Sequence, residues 1–334
     1  MKRTAAKKMV AGVFVGGMIG IFLFDILSVL LSNAYEKRYP VRPAAWESIE
    51  LQSPGDRLHF LNTDNADCIL LESQGHFAMV DSGWGGNNPN KSAKRAGYEA
   101  RILAYLKRVG GTHLDFVLPT HFHYDHAGGF PAIFADPAIT VDTVYLRELQ
   151  TGNQLNYELK DWSIEEIRAQ IDTAARARRF KIETNLPLGA FRLGNFVVQF
   201  LNCDSYSNKK LRGENDNSTL VLLTLGKWRG LLTGDMTALH GLEKEIAAQV
   251  GGALDLLKLP HHGYALSSSV AFLRKVRPKL AVLTNDLGKM YPNVRWNLAY
   301  VGRCPVLSTV RENGVVVSIN KNGQMLVTGN LHLE

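Results

Sequence analysis

Cysteine is scarce in this chain of 334 residues: Cys68, Cys203 and Cys304 stand far apart, with no Cys-x-x-Cys spacing. That count excludes a disulfide framework and makes a cysteine zinc site a poor expectation, although one pair can still bridge. Three small buried hydrophobes are the expected roles. A Gly-x-Ser-x-Gly elbow is also missing, which disfavours a serine nucleophile. Internal repeats and low-complexity tracts are lacking, so repeat architectures are set aside. Charge of one sign is only mildly in excess. A net +7 permits an anionic partner such as phosphate, nucleic acid or a membrane surface without demanding one. With 46% apolar and 21% charged residues, the chain is ordinary for a globular protein. It is long enough to bury a large core, as one big domain or two of moderate size.

One long hydrophobic run is present, at the N-terminus. Lys2, Arg3, Lys7 and Lys8 precede an apolar stretch from Met9 to Phe24, broken by Asp25 and resumed from Ile26 to Leu31. A bilayer needs about 20 such residues. The basic cluster places the N-terminus inside and the rest of the chain outside the cytoplasm. Ser32-Asn33-Ala34 offers a small-x-small cleavage site. A removed signal peptide therefore competes with an uncleaved signal anchor, and the length of the run favours the anchor. Gly12, Gly16 and Gly20 supply small residues at four-residue intervals, a weak signal for pairing of anchors. On this reading residues 1–34 stand apart from the fold, 35–55 form a Pro-containing linker, and the domain proper runs from 56 to 334.

Within that domain, Leu58–Leu61, Cys68–Leu71 and Phe77–Asp81 read as strands separated by Asn/Asp/Gly turns. Asn87 to Lys94 is polar loop, and Ala93 to Val109 has helical periodicity with Gly110-Gly111 as its stop. Further strands are expected at Val141–Leu146, Phe196–Leu201, Ser218–Leu225, Leu231–Asp235, Leu254–Leu259 and Leu280–Thr284. Helices are expected at 238–250 and 267–276. Residues 147–185 read as a charged helical insertion. Its basic cluster, Arg176, Arg178, Arg179 and Lys181, is more simply a solvated helix face than a phosphate site. The polar loop 202–217 is expected over the site. Val306–Val310, Val315–Ile319 and Met325–Val327 are expected to close a second sheet, with Asn322-Gly323 as a hairpin turn.

The chemistry concentrates in Leu118-Pro119-Thr120-His121-Phe122-His123-Tyr124-Asp125-His126-Ala127-Gly128-Gly129. Four metal-capable side chains fall at the spacing His-x-His-x-Asp-His, just after the apolar run Leu114–Leu118. Side chains two apart share a face of an extended chain, so His121 and His123 can bind one cation. Asp125 and His126 then turn toward a second. Imidazole and carboxylate suit zinc, with iron or manganese as competitors. The glycines let the backbone pass close beneath the site.

His121-Phe122-His123-Tyr124-Asp125-His126 resembles the signature of the metallo-β-lactamase superfamily, whose fold is a four-layer αββα sandwich. The resemblance implies that Asp81, in Asp81-Ser82-Gly83, shapes the floor of the metal site without binding metal. It implies that Asp235, in Leu232-Thr233-Gly234-Asp235, bridges two cations. Pro260-His261-His262-Gly263 matches the last histidine motif; either histidine is a candidate ligand, with His262 preferred because it precedes the glycine. The implied set is His121, His123 and Asp235 on one ion, and Asp125, His126, Asp235 and His262 on the other. Asp125 and Asp235 then carry the catalytic roles, with two divalent ions, zinc first, as cofactors.

One family histidine is missing. No histidine lies between His126 and Asp235, and Asn215-Asp216-Asn217-Ser218-Thr219 stands in its place. Water, Asp216 or Asn217 are the candidate substitutes. Asn217 and Tyr264 are candidate substrate contacts, with ordinary loop residues as the alternative. This variant pattern is similar to the hydrolase domain of the competence DNA-uptake channel and to the pneumococcal type of phosphorylcholine esterase. It implies an anchored extracytoplasmic hydrolase using a metal-bound hydroxide, expected first on phosphodiesters: a small ester, a lipid or wall-polymer head group. DNA cleavage is the alternative, followed by a lactonase or β-lactamase-like activity and a non-catalytic metal-binding protein. No obligate protein partner is implied.

Overall fold

The computed structural model describes residues 2–36, 42–43, 54–89, 96–149, 156–203 and 213–331. Most of the 35–55 linker, the loop segment 90–94, the start of the insertion and residues 204–212 of the loop over the site lie outside these. The chain opens with α1 (Lys2–Glu36), followed by β1 (Arg42–Pro43), β2 (Asp56–Phe60), β3 (Cys68–Ser73) and β4 (His76–Ser82). Next come α2 (Glu99–Val109), β5 (His113–Leu118), α3 (Tyr124–Ala127), α4 (Phe130–Ala135) and β6 (Thr140–Tyr145). The insertion forms α5 (Asn156–Asp161), α6 (Ile164–Ala177) and β7 (Lys181–Glu183). The second half contributes β8 (Phe191–Leu193), β9 (Phe196–Leu201), β10 (Leu220–Leu225), β11 (Trp228–Leu232), α7 (Leu242–Val250) and β12 (Leu256–Lys258). It ends with α8 (Val270–Val276), β13 (Leu280–Leu283), α9 (Pro292–Trp296), β14 (Val306–Ser308), β15 (Val315–Ile319) and β16 (Met325–Gly329).

Two mixed sheets face one another. The first has the order β1-β16-β15-β2-β3-β4-β5-β6-β7 and the second β14-β13-β12-β11-β10-β9-β8. Alternation of side chains along each strand explains the layering. On β2 and β3, Leu58, Phe60, Ile69 and Leu71 point between the sheets and meet Phe196, Val198, Phe200, Val221 and Leu223. The opposite faces of the first sheet, with Leu70, Met79 and Val117, pack under α2, α4 and α6 through Ile102, Leu106, Ile133 and Ile167. Beyond the second sheet, Leu222, Leu231 and Leu257 are covered by Ile246, Leu273 and Val294 of α7, α8 and α9. The result is the expected αββα sandwich.

The structure corrects several element assignments. β15 and β16 join the first sheet, with Val315 opposite Phe60 of β2; only β14 closes the second. Periodicity marks a strand but not its partner, and the edge of β2 is free to take β15. The insertion ends in a strand, Lys181–Glu183, parallel to β6. Helix α2 starts at Glu99, because the Tyr98 amide is held by the Trp84 carbonyl at 3.1 Å. The helix expected from 238 divides: His240 and Gly241 take positive φ, and α7 begins only at Leu242.

Residues 1–34 do not stand wholly apart. Val13–Leu31 is long and apolar enough to cross a membrane, a property a signal sequence shares. Yet Ser28 is fully buried and Phe24 packs on Trp296, ring centroids 5.0 Å apart. No disulfide forms among the described residues, and Cys68 and Cys304 are buried.

Candidate metal centre

Strand ends of both sheets converge on one rim of the sandwich. β4 ends at Asp81 and Ser82, β5 leads into Thr120–His126, β11 into Gly234-Asp235, and β12 into His261-His262. Parallel strands align their carboxyl ends, so loops that leave them meet in one crevice.

The helix pair α3–α4 turns the first loop inward, and Gly128 makes that turn possible. A Cβ there would stand 2.4 Å from the Tyr124 carbonyl oxygen. Gly234 has φ +51, and a Cβ on it would stand 2.8 Å from Ser218 Oγ and 2.9 Å from Thr120 Oγ1. His261 and His262 both adopt left-handed backbone, φ +52 and +48. Such strain costs on the order of 1–2 kcal/mol per residue and persists only where surrounding structure imposes it. Here it reverses the chain, sending His262 into the site and His261 to the cavity wall.

Donor atoms gather in two groups, within 4.8 Å of one another in each: Asp125, His126, Asp235 and His262 in one, His121, His123 and Asp235 in the other. All six residues are buried. His126 Nε2 lies 3.0 Å from His262 Nε2 and 3.1 Å from Asp235 Oδ1. His262 Nε2 is 3.3 Å from both Asp235 Oδ1 and Asp125 Oδ2. His121 Nε2 is 4.0 Å from Asp235 Oδ2.

Buried yet without hydrogen-bond partners are His121 Nε2, His123 Nε2 and Asp125 Oδ1. Each such atom costs about 1–3 kcal/mol if nothing satisfies it. Three of them within two adjoining donor groups, backed by imidazoles and carboxylates, fit divalent cations.

The other ring nitrogens are fixed by neighbouring oxygens. His126 Nδ1 donates to Asp81 Oδ2 at 2.8 Å, and His262 Nδ1 lies 3.1 Å from Thr284 Oγ1. His121 Nδ1 is 3.1 Å from Thr120 Oγ1 and 3.3 Å from Ser218 Oγ. Such partners set the tautomer and leave Nε2 as the candidate ligand atom. Asp81 accepts both the amide and the hydroxyl of Thr120, at 2.7 and 2.8 Å, so it braces the loop and orients His126.

Charge shapes the site as well. Burial pulls His262 down, but Asp235, Asp67 and the bond to Asp125 push it further up, to about 9. Burial likewise opposes charge on His126, and the carboxylates of Asp235, Asp81, Asp67 and Asp125 raise it well above the usual imidazole range. His121 is driven the other way, by burial and by the neighbouring His126 and His123. Lys258, fully buried, pairs with Asp67 and donates to the Gly234 carbonyl at 2.9 Å.

A cavity of about 420 Å³ opens over the metal groups, lined by Trp84, His123, Asp125, Trp162, Asp235 and Tyr264 among others. Of the expected substrate contacts, Tyr264 lines it, with its hydroxyl accepting from Asn65 Nδ2 at 3.1 Å. Asn217 does not. It is buried beside Glu214 Oε2, 3.4 Å away, and Asn215 faces the cavity instead, 3.2 Å from His261 Nε2. Asp216 is turned from the metal groups and accepts from the Thr237 amide and hydroxyl.

Sequence reasoning passed over Asp67, Lys258, Trp84, Trp162, Glu158 and Glu214. Only Lys258 carried a signal, a lone cation inside the apolar run Leu254–Leu259. Trp162 stacks on His123 at 4.4 Å, and Glu158 Oε1 lies 3.6 Å from His123 Nε2. Glu214 accepts from the Phe122 amide at 3.0 Å and pairs with Arg147. Three residues of the insertion's basic cluster have partners within the domain: Arg176 binds Asp172, Arg178 the carbonyls of Phe134, Asp136 and Ile139, and Lys181 Glu183.

With the sandwich and the donor set in view, residues 61–150 match the family profile of the metallo-beta-lactamase superfamily. Members of this superfamily are usually metal-dependent hydrolases. Over 251 residues, 74% of its length, the chain is 28% identical to Recombination protein 2 of Haemophilus influenzae, and spans 25% of that protein. Among solved structures it is similar to the metallo-β-lactamase fold protein YhfI of Bacillus subtilis. That match has TM-score 0.47 at 12% identity, over 82% of this chain and 99% of YhfI. It is also similar to CmlA, a diiron β-hydroxylase of Streptomyces venezuelae, with TM-score 0.39 at 14% identity over 73% of this chain and 48% of CmlA.

Proposed function

We propose that this chain is a membrane-anchored, dinuclear metal-dependent phosphodiesterase with its catalytic domain outside the cytoplasm. The observation that carries the reading is the pair of buried donor groups sharing Asp235 at the floor of an open cavity. His121, His123 and Asp235 would hold one ion; Asp125, His126, Asp235 and His262 would hold the other, with zinc the first candidate. When bound, such ions lower the pKa of a water held at the site and neutralise charge on phosphoryl oxygens in the transition state. The protein's part is to hold the ligands rigid through Asp81, Thr284 and Ser218, and to place substrate. Tyr264 and Asn215 face the substrate volume and can donate to its oxygens.

Two features favour a small or lipid-borne ester. Among the described residues the cavity lining contains no lysine or arginine, while Trp84, Trp162 and Tyr264 give it aromatic walls. Aromatic faces suit a cationic head group such as choline. Nuclease action is the second reading, favoured by the similarity to Recombination protein 2. It predicts cleavage of single-stranded DNA that weakens steeply with salt.

The test pairs metal analysis of the full-length protein in detergent with hydrolysis of bis(p-nitrophenyl) phosphate, p-nitrophenyl phosphorylcholine and single-stranded DNA. The His123→Ala variant serves as blank. About two metals per chain and turnover lost in the variant are expected. A preference for the choline ester selects the first reading, and DNA cleavage alone selects the second. Absence of bound metal would end both.

A further inference from the structure

Helix α1 changes its surroundings partway along. From Val13 to Leu23 its apolar side chains are exposed, Phe14 at 69% and Phe22 at 65%, for example. From Phe24 onward the domain holds one face of it, while Ile26, Leu27 and Leu30 stay exposed on the other. The Phe24 ring meets Trp296, Asp25 Oδ1 lies 3.3 Å from Arg295 Nη2, and Ser28 is fully buried. The grip thus falls inside the apolar window Val13–Leu31 and not beyond it.

Length gives this a consequence. As a helix, Met9–Leu23 covers about 22 Å at about 1.5 Å per residue, short of a hydrocarbon core of about 30 Å. A bilayer crossed by α1 therefore reaches past Phe24, onto the surface that holds the helix. That surface is α9 together with the π-helical turn Asn297–Gly302 that follows it. It is aromatic: Trp296 and Tyr300 stack at 5.7 Å, and Tyr300 is 59% exposed. Tyr291, at the start of α9, and Leu266 are exposed as well. Tryptophan and tyrosine are the residues of the membrane–water interface, where one end of the ring is apolar and the other wet. Arg295 offsets the cost of carrying Asp25 in an apolar helix, as charges within membranes are commonly paired.

We infer that the shoulder formed by α9 and this turn is seated in the bilayer interface, so that the domain lies against the lipid surface instead of swinging on a tether. The cavity opens beside that shoulder: the Tyr264 ring on its wall contacts Tyr291 edge-on at 5.9 Å. Resting on the phosphodiesterase reading, this makes the substrate a phosphodiester carried on a lipid and presented at the membrane surface.

The test uses the full chain in vesicles of phosphatidylcholine with phosphatidylglycerol, in a Cys203→Ser background. A bimane probe is placed on Tyr300→Cys or, as reference, on Leu188→Cys. Leu188 is 67% exposed and lies just before β8, at the edge of the second sheet opposite β14. Shallow doxyl-labelled lipids are expected to quench the probe at 300 about three-fold more than that at 188, as an interfacial residue requires. Equal quenching, or a chain that fails to float with the vesicles, overturns the seating. The readout needs no turnover, so seating without hydrolysis of any phosphodiester counts against the proposed activity alone. With activity present, the lipid-borne ester should be cleaved several-fold faster than the same head group as a soluble ester. Equal rates overturn the assignment of substrate.

Discussion

Protons and cations compete for the same atoms at His126 and His262. In the metal-free protein both imidazoles sit among carboxylates, and His262 titrates at about 9 instead of its usual 6.5. A group raised in the folded state adds stability below its unfolded pKa and loses it as pH rises through the folded value. The stripped protein should therefore be more stable near pH 6.5 than near pH 9. Metal binding runs opposite in sign, because Nε2 must lose its proton before it can ligate. Zinc affinity should rise with pH through the neutral range and flatten near 9, with protons released on binding at pH 7. Calorimetry in two buffers of different ionisation heat reads that release directly; affinity unchanged from pH 6 to 8 would contradict it. Lys258 acts at the same scale. Lys258→Met removes the cation that neutralises buried Asp67, and breaking a buried pair costs about 3–5 kcal/mol. Urea unfolding of the metal-free variant should show a loss of that order.

At the level of elements, the site depends on how two strand ends meet. Gly234 joins β11 to Asp235, and Ser218 Oγ, which a Cβ on Gly234 would crowd, accepts from the Asp235 amide at 3.0 Å. Gly234→Ala should therefore lower metal content and turnover far more than it lowers helical signal. Metal analysis beside circular dichroism separates the two effects, and normal metal content would count against the crowding. Strands such as β2, β3 and β9 were legible because alternation and turn residues are local properties. The motifs that supply the candidate donors stand out because each follows an apolar strand at fixed spacing. What local pattern could not show was partnership. Val315–Ile319 reads as a strand in either sheet, and only the free edge of β2 decides which. Asn217 and Asn215 are equally polar, and the tight turn that buries one and exposes the other depends on Glu214 being tied to Phe122 and Arg147. Trp162 and Glu158 reach His123 from a charged helical insertion whose periodicity says nothing of what its buried face meets.

Considered as a whole molecule, the sandwich brings candidate ligands from widely separated parts of the chain to one rim. His121 to His126 leave the first sheet, while Asp235 and His262 leave the second. The unfolded chain has no such arrangement, so a cation that binds here binds the native state almost alone. Its contribution follows mass action, about 2.7 kcal/mol when free metal is 100-fold above the dissociation constant. For a domain of this size each kcal/mol moves the midpoint by roughly 2–4 °C. Full-length protein stripped with chelator should melt several degrees below the zinc-loaded form, and adding zinc should restore the midpoint. His123→Ala removes a ligand from one group only, so it should keep part of the rise. Asp235→Ala removes the residue common to both groups and should keep almost none. Equal shifts in the two variants would mean that Asp235 does not join the two groups, and that the sheets are not coupled through metal at this rim.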